Sequence, residues 1–181
     1  MQISPRKDRK YTIVSYQKSW AIDFEAIKKQ FVPVFGDQAI DIMHVGSTAV
    51  FGMCGKPTID VLILVRELAW VDALNNVMAE LGYQALGEYV VSNSRLFARE
   101  EDGERLVNVH CCEKDHPHAR EMIVMRNFLR NHPDEAKAYA DLKIDLYTKY
   151  PDDYFAYRKN KDPYLTKLKM RAVKWWGDKP L

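Results

Sequence analysis

No apolar run in this chain approaches the roughly 18–20 residues a helix needs to cross a bilayer, so no membrane role is expected. Cysteine is scarce: Cys54, Cys111 and Cys112 are the only three in 181 residues, and two of them are adjacent. An odd, partly adjacent set argues against a disulfide framework and for a reducing compartment, and it lacks zinc spacing. The expected location is cytoplasmic. A charge excess is missing too. Lys and Arg number 27 against 25 Asp and Glu, a net charge of +2, which carries no strong nucleic-acid signal. The opening MQISPRKDRKYTIVSY has basic residues without an apolar core behind them, unlike a secretory leader. Repeats, low-complexity tracts and long linkers are absent. The remainder, 47% hydrophobic and 29% charged, is ordinary for a globular chain. Its length suits a single domain, with a core over about 11–132 and a helical C-terminal part over about 133–178.

The chain is organised around His44–Val65, HVGSTAVFGMCGKPTIDVLILV. This stretch reads as a strand end, a tight turn, a small-residue loop, Lys-Pro, and then an apolar strand. Asp60 interrupts that strand. An unpaired carboxylate there would cost several kcal/mol, on the order of a buried-charge penalty, so a cation, a metal, a ligand or a structural hydrogen bond must meet it. Gly52–Thr58 resembles a phosphate-binding P-loop only superficially. Its first glycine lies two residues too near, Pro57 separates Lys56 from Thr58, and a strand follows where a helix is required.

Elsewhere the periodicities place the elements. Ser19 is a plausible cap for a helix with Trp20, Phe24, Ile27 and Phe31 on one face, ended by Pro33 and Gly36. Ala39–Val45 is strand-like. Leu68–Leu81 has Val71, Leu74, Val77 and Leu81 on one helical face. Tyr83–Val91 and Arg95–Arg99 read as strands, and Asp102-Gly103 as a hairpin turn into the strand Arg105–Cys112. The second half turns helical: Arg120–Asn131, then a helix opened by Pro133 with Tyr139, Leu142, Leu146 and Tyr150 as its stripe. A last helix is capped at Asp162-Pro163 and ends at Gly177. The result is an α+β fold.

Alternation puts Asp60, Leu62 and Leu64 on one face of their strand, and Asn108, His110 and Cys112 on one face of theirs. If the two strands are neighbours, Asp60, Asn108 and His110 share a cleft. Asp60 and His110 are then the candidate catalytic or metal-binding pair, better suited to zinc or manganese than to magnesium. Gly46, Ser47 and Thr48 offer close backbone approach, a hydroxyl and N–H donors for an anion, with Lys56 as a nearby cation. His44 either contacts a ligand or braces the loop. Arg95 and Arg99, of equal parity, and also Arg120 and Arg126, are candidate clamps for phosphate or carboxylate, although Arg126 could instead lock its helix onto the sheet.

The string HVGST-A-V-x-G-x-x-x-K-P-x-I-D resembles the GrpB-like family, a branch placed with the nucleotidyltransferase fold. The likeness continues through Asn108-Val109-His110 and Arg126–Pro133 to the closing aromatic helix. It implies a small mixed sheet backed by helices, with the Gly-Ser turn on nucleotide phosphate and an Asp-x-Asp or Asp-x-Glu pair on the next strand holding divalent metal. The chain departs from that pattern at position 62, where Leu62 replaces the second acid. Two-metal phosphoryl transfer needs several hard oxygen ligands, so the fold expectation stands and the activity expectation does not. The resemblance implies a protein that binds a nucleotide or another phosphorylated small molecule without standard two-metal activity. Its alternatives are an active nucleotidyl- or phosphoryl-transferase using Asp60 with His110 or Asn108, or an accessory module linked to coenzyme A metabolism, since some family members are fused to dephospho-CoA kinase.

Overall fold

A computed structural model describes residues 10–177 and residue 179. Residues 1–10, whose polar and basic composition leads one to expect a frayed end, lie almost wholly outside the described residues. Five strands form one mixed sheet: β1 (Ala39–Val45), β2 (Ile59–Val65), β3 (Gln84–Ala85), β4 (Arg95–Glu101) and β5 (Glu104–Glu113), in the order β1-β2-β5-β4-β3. β2 and β5 are parallel neighbours, and the other pairings are antiparallel. Asp60 lies opposite Asn108 and Leu62 opposite His110.

The two faces of β2 are covered differently. Ile59, Val61, Ile63 and Val65 join Val107, Val109 and Cys111 beneath helix α1 (Ser19–Phe35), whose Trp20, Phe24, Ile27 and Phe31 form the expected stripe. On the reverse face Leu62, Leu64 and Cys112 pack with Ala119 and Ile123 of helix α4 (Pro117–Asn131). Burial on both sides explains the continuous apolar run of β2. It also means that the face carrying Asp60, from which a shared open cleft is expected, is not open along its length. Only its Asp60 end is, where that side chain keeps 27% of its surface exposed. Helices α5 (Pro133–Lys149) and α6 (Tyr154–Trp176) add a second core with α4, built from Val124, Phe128, Ala136, Tyr139, Leu168 and Ala172.

Several boundaries differ from the sequence expectation. Lys18, not Ser19, precedes the first helical residue, and α1 runs through Pro33 before Gly36 stops it at φ +49°. Leu68–Leu81 is broken into α2 (Leu68–Val71), a 3-10 turn at Asp72–Leu74, and α3 (Asn75–Glu80). A 3-10 turn advances each residue by about 120° instead of 100°, which rotates the next helical residues about the axis. Met78 is consequently buried, and Val77 is 41% exposed. The strand expected over 83–91 shrinks to Gln84–Ala85. Helix α6 starts nine residues before Asp162-Pro163, because Asp153 accepts a hydrogen bond from the Ala156 amide at 2.8 Å and Tyr154 and Tyr157 pack against Tyr11. Pro163 rides inside that helix. The hairpin is as expected, with φ of +50° at Asp102 and +82° at Gly103.

Among the described residues no helix is long and apolar enough to cross a membrane. All three cysteines are free and buried. Burial pushes the Cys112 thiol up to about 11, consistent with a small core hydrophobe.

Candidate functional site

The site is assembled where β1 ends. Gly46 has φ +74°, and a Cβ placed there would lie 2.5 Å from Asp60 Oδ2. Only glycine combines that backbone conformation with so close an approach. The turn therefore rests directly on the carboxylate.

Thr48 points inward. Its hydroxyl donates to the Thr58 carbonyl at 3.3 Å and lies 2.9 Å from His44 Nε2. A hydroxyl has one proton, so His44 must be the donor in the second contact. The His44 ring stacks on Phe24 at 4.8 Å and is only 8% exposed. Burial lowers its pKa to about 4, with Asp60 pulling upward and Arg130 and Arg126 downward. His44 and Thr48 thus brace the turn from within. Helix α4 holds it from outside. Arg126 Nη1 donates to the His44 carbonyl at 3.0 Å, and Arg130 donates twice to that of Ala49, at 2.9 and 2.7 Å.

This bracing has a pH signature. The unfolded state binds the His44 proton below about 6.5 and the folded state only below about 4. Stability should therefore fall as pH drops through that window, by up to about 3 kcal/mol. Urea unfolding at pH 7.5 and 4.5 checks this. His44→Gln, which keeps a donor for Thr48, should show a shallower loss than the wild type. Equal slopes would remove His44 from the account.

Asp60 is held by a chain of polar contacts from the sheet. Asn108 Nδ2 donates to Asp60 Oδ1 at 2.7 Å, and His110 Nε2 approaches the same oxygen at 3.9 Å, an ion-pair distance longer than a hydrogen bond. The Asn108 amide is oriented in turn by Arg105, which donates to Asn108 Oδ1 at 2.6 Å and to Glu100 Oε1 at 2.8 Å. Burial raises the Asp60 pKa, but His110, Asn108 and the charge of Lys56 together hold it below the usual value. Asp60 is an ionised carboxylate, as its mixed surroundings require.

Several other cations lie around the turn. Lys143 of α5 is buried, 3% exposed, and its Nζ donates to Ser47 Oγ at 3.0 Å and to the Cys54 carbonyl. Lys56 donates to Tyr154 Oη at 2.9 Å on α6, so it is tied to that helix and not aimed at the turn. A cavity of about 220 Å³ opens against Gly46 and Ser47, walled by Met122, Met125, Tyr139 and Leu165, with Arg126 and the 2.6 Å ion pair of Lys169 and Glu121 also lining it.

Other residues singled out from sequence are not brought here. Arg95 lies opposite Cys111 and Arg99 opposite Val107, so both are on the α1 face of the sheet, away from Asp60. Arg95 makes a bidentate pair with Asp72, and Arg99 lies over the Tyr83 ring. Arg120 donates to the Gly177 carbonyl. A larger concavity of about 870 Å³, lined by Tyr83, Arg99 and Glu101, sits at the far β3–β4 edge and does not reach Asp60.

The donor set does not fit a two-metal centre. Asp60 and His110 meet, but among the described residues no third His, Cys, Asp or Glu joins them in a metal-holding group. Leu62, where the second acid would stand, is 0% exposed and sealed against α4. Sequence reasoning missed Lys143 and Arg105. The signal for Lys143 was available: it follows Tyr139 by four residues, so a lysine occupies the buried face of α5.

The chain matches the GrpB protein family model over residues 10–171. It is similar to the UPF0157 protein YqkA of Bacillus subtilis, with 35% identity over 92% of this chain, and spans about half, 48%, of that protein's length. It is similar to the glutamate-rich protein GrpB of Alkalihalophilus pseudofirmus, with 31% identity over 86% of this chain and 92% of that one. Among solved structures, the conserved protein GrpB from Enterococcus faecalis aligns with a TM-score of 0.86 at 29% identity, covering 92% of this chain and 100% of the other.

Proposed function

The chain belongs to the GrpB family, and on that premise we propose that it binds a nucleotide or another phosphorylated small molecule at the Gly46-Ser47 turn, without two-metal group transfer. One observation carries the reading. The turn presents Ser47 to a cavity lined by Arg126 and by a Lys169–Glu121 ion pair, while Gly46 lies against the ionised Asp60. Anion recognition there comes from the turn and the guanidinium, which suits phosphate. Asp60, in this reading, fixes the turn and faces polar parts of the ligand together with His110 and Asn108. Leu62 argues against catalysis, since its apolar seat against Ala119 and Ile123 disfavours a hydrated cation beside Asp60.

Thermal shift over nucleoside mono-, di- and triphosphates and coenzyme A with its fragments tests the binding half, with and without magnesium or manganese. A ligand at about 100 times its Kd should stabilise the protein by about 2.7 kcal/mol, and Ser47→Ala should reduce that stabilisation. No stabilisation by any phosphorylated compound would overturn the proposal. The second half is tested by pyrophosphate release from the triphosphates. The expected result is none. Turnover on the order of 10 per second, abolished by Asp60→Ala, would establish the alternative, an active transferase.

A further inference from the structure

Lys143 is the least expected residue of the site. Among the described residues no carboxylate lies within ion-pair distance of its ammonium, and its two acceptors are both neutral, Ser47 Oγ and the Cys54 carbonyl. A buried ammonium without a counter-ion is costly, and a hydrocarbon side chain of the same length would serve the packing better. The loop also packs closely against Ser47. A Cβ at Gly55 would come within 3.1 Å of Ser47 Cβ and 3.8 Å of Lys143 Nζ.

Lys143 donates to Ser47 Oγ, so the Ser47 hydroxyl is the acceptor in that contact and its own proton must point elsewhere. Among the described residues no acceptor for that proton is within reach. Ser47 lines the 220 Å³ cavity, whose walls Met122, Met125, Leu129 and Leu165 are apolar and which is also lined by Arg126 and by the ion pair of Lys169 with Glu121, at 2.6 Å. Two more lysines stand close by. Lys161 of α6 is paired with its sequence neighbour Asp162, at 3.6 Å, and Lys56 reaches the same helix at Tyr154.

We propose that Lys143 is the positioning residue of a phosphoryl-dianion site in this cavity: it holds the Ser47 hydroxyl as an obligate donor toward the ligand and supplies the buried countercharge that a phosphomonoester neutralises. This deepens the reading above and rests on it. The ligand class is a phosphomonoester with an apolar or aromatic body against the methionine wall. The C-terminal helices are then part of the site, because α5 supplies the charge and α6 one wall.

The groups facing Lys143 are Ser47 and Cys54 from the loops, Tyr139 of its own helix and Lys161 of α6. Burial lowers its pKa to about 8, with Cys54 pulling upward and Lys161 downward. A dianion beside Ser47 must raise that value, so binding near pH 8.5 must take up a proton.

Calorimetry with phenyl phosphate and with adenosine monophosphate, in buffers of different ionisation enthalpy, reads this directly. Both probes have completed their own second ionisation, near pH 6, well below that range. The wild type should bind, take up about three-quarters of a proton near pH 8.5, and lose affinity as pH rises further. Lys143→Met should weaken binding at least tenfold, abolish the uptake, and leave the ligand-free melting temperature unchanged or higher. If the wild type binds and Ser47→Ala weakens it, while Lys143→Met binds normally, the inference falls and the function reading survives. If neither probe nor any phosphorylated compound binds the wild type, both fall. Should Lys143→Met fail to fold, the wild-type uptake decides alone, and its absence overturns the proposal.

Discussion

Gly46→Ala should remove ligand binding at the turn and cost about 2–4 kcal/mol of stability. Two effects add. The backbone at φ +74° and ψ −170° lies in a region essentially confined to glycine and costs an L side chain roughly 1–3 kcal/mol. The new methyl group would meet Asp60 Oδ2 at 2.5 Å and its Cβ and Cγ at 3.2 Å, so the whole side chain must move and not merely its tip. Moving it breaks the 2.7 Å contact with Asn108 and leaves a partly buried carboxylate short of its donor. Denaturant unfolding measures the first loss, and titration with the phosphorylated compound found for the wild type measures the second. Asp60→Asn combined with Gly46→Ala should be less than additive, because both act on one contact. A Gly46→Ala protein with wild-type stability and affinity would mean that the turn does not rest on Asp60.

Arg105→Met should cost about 3–5 kcal/mol, the range for breaking a buried ion pair from one side. The Arg105 and Glu100 side chains are 2% and 3% exposed and lie 2.8 Å apart, so removing the guanidinium takes a charge-assisted donor from a buried carboxylate. The effect should also reach the site. Without Arg105 the Asn108 amide loses the donor to its oxygen, and with it the constraint that aims its nitrogen at Asp60. The Asp60 carboxyl should then titrate at higher pH than in the wild type, which carbon-detected magnetic resonance can follow. Replacing both partners, Glu100→Leu with Arg105→Met, should restore much of the stability without restoring the Asp60 titration. A single-variant loss below about 1 kcal/mol would show that Glu100 is held adequately by other groups.

Much of this molecule is set by the order of its residues. The 3.6-residue stripe of α1, the two-residue alternation of β2 and β5 and the Asp102-Gly103 hairpin depend on consecutive residues and on local backbone sterics. They were readable, and so was the shared face of Asp60, Asn108 and His110 once β2 and β5 were taken as neighbours. The family string identified the α+β sheet with its helical C-terminal segment for the same reason, since it spans the turn and the strand that build the site. Tertiary structure decided the rest. Alternation shows that Arg95 and Arg99 share a face but not which one, and the pairing of β4 with β5 put them on the α1 side. The helical stripe of α5 could not say what Lys143 would meet, because its partner Ser47 is 96 residues away. The phase of α3 was set by a 3-10 turn, and the start of α6 by a tyrosine cluster that includes Tyr11 from the far end of the chain. Period and propensity act over a few residues, whereas the company a buried charge keeps is chosen by packing between distant segments.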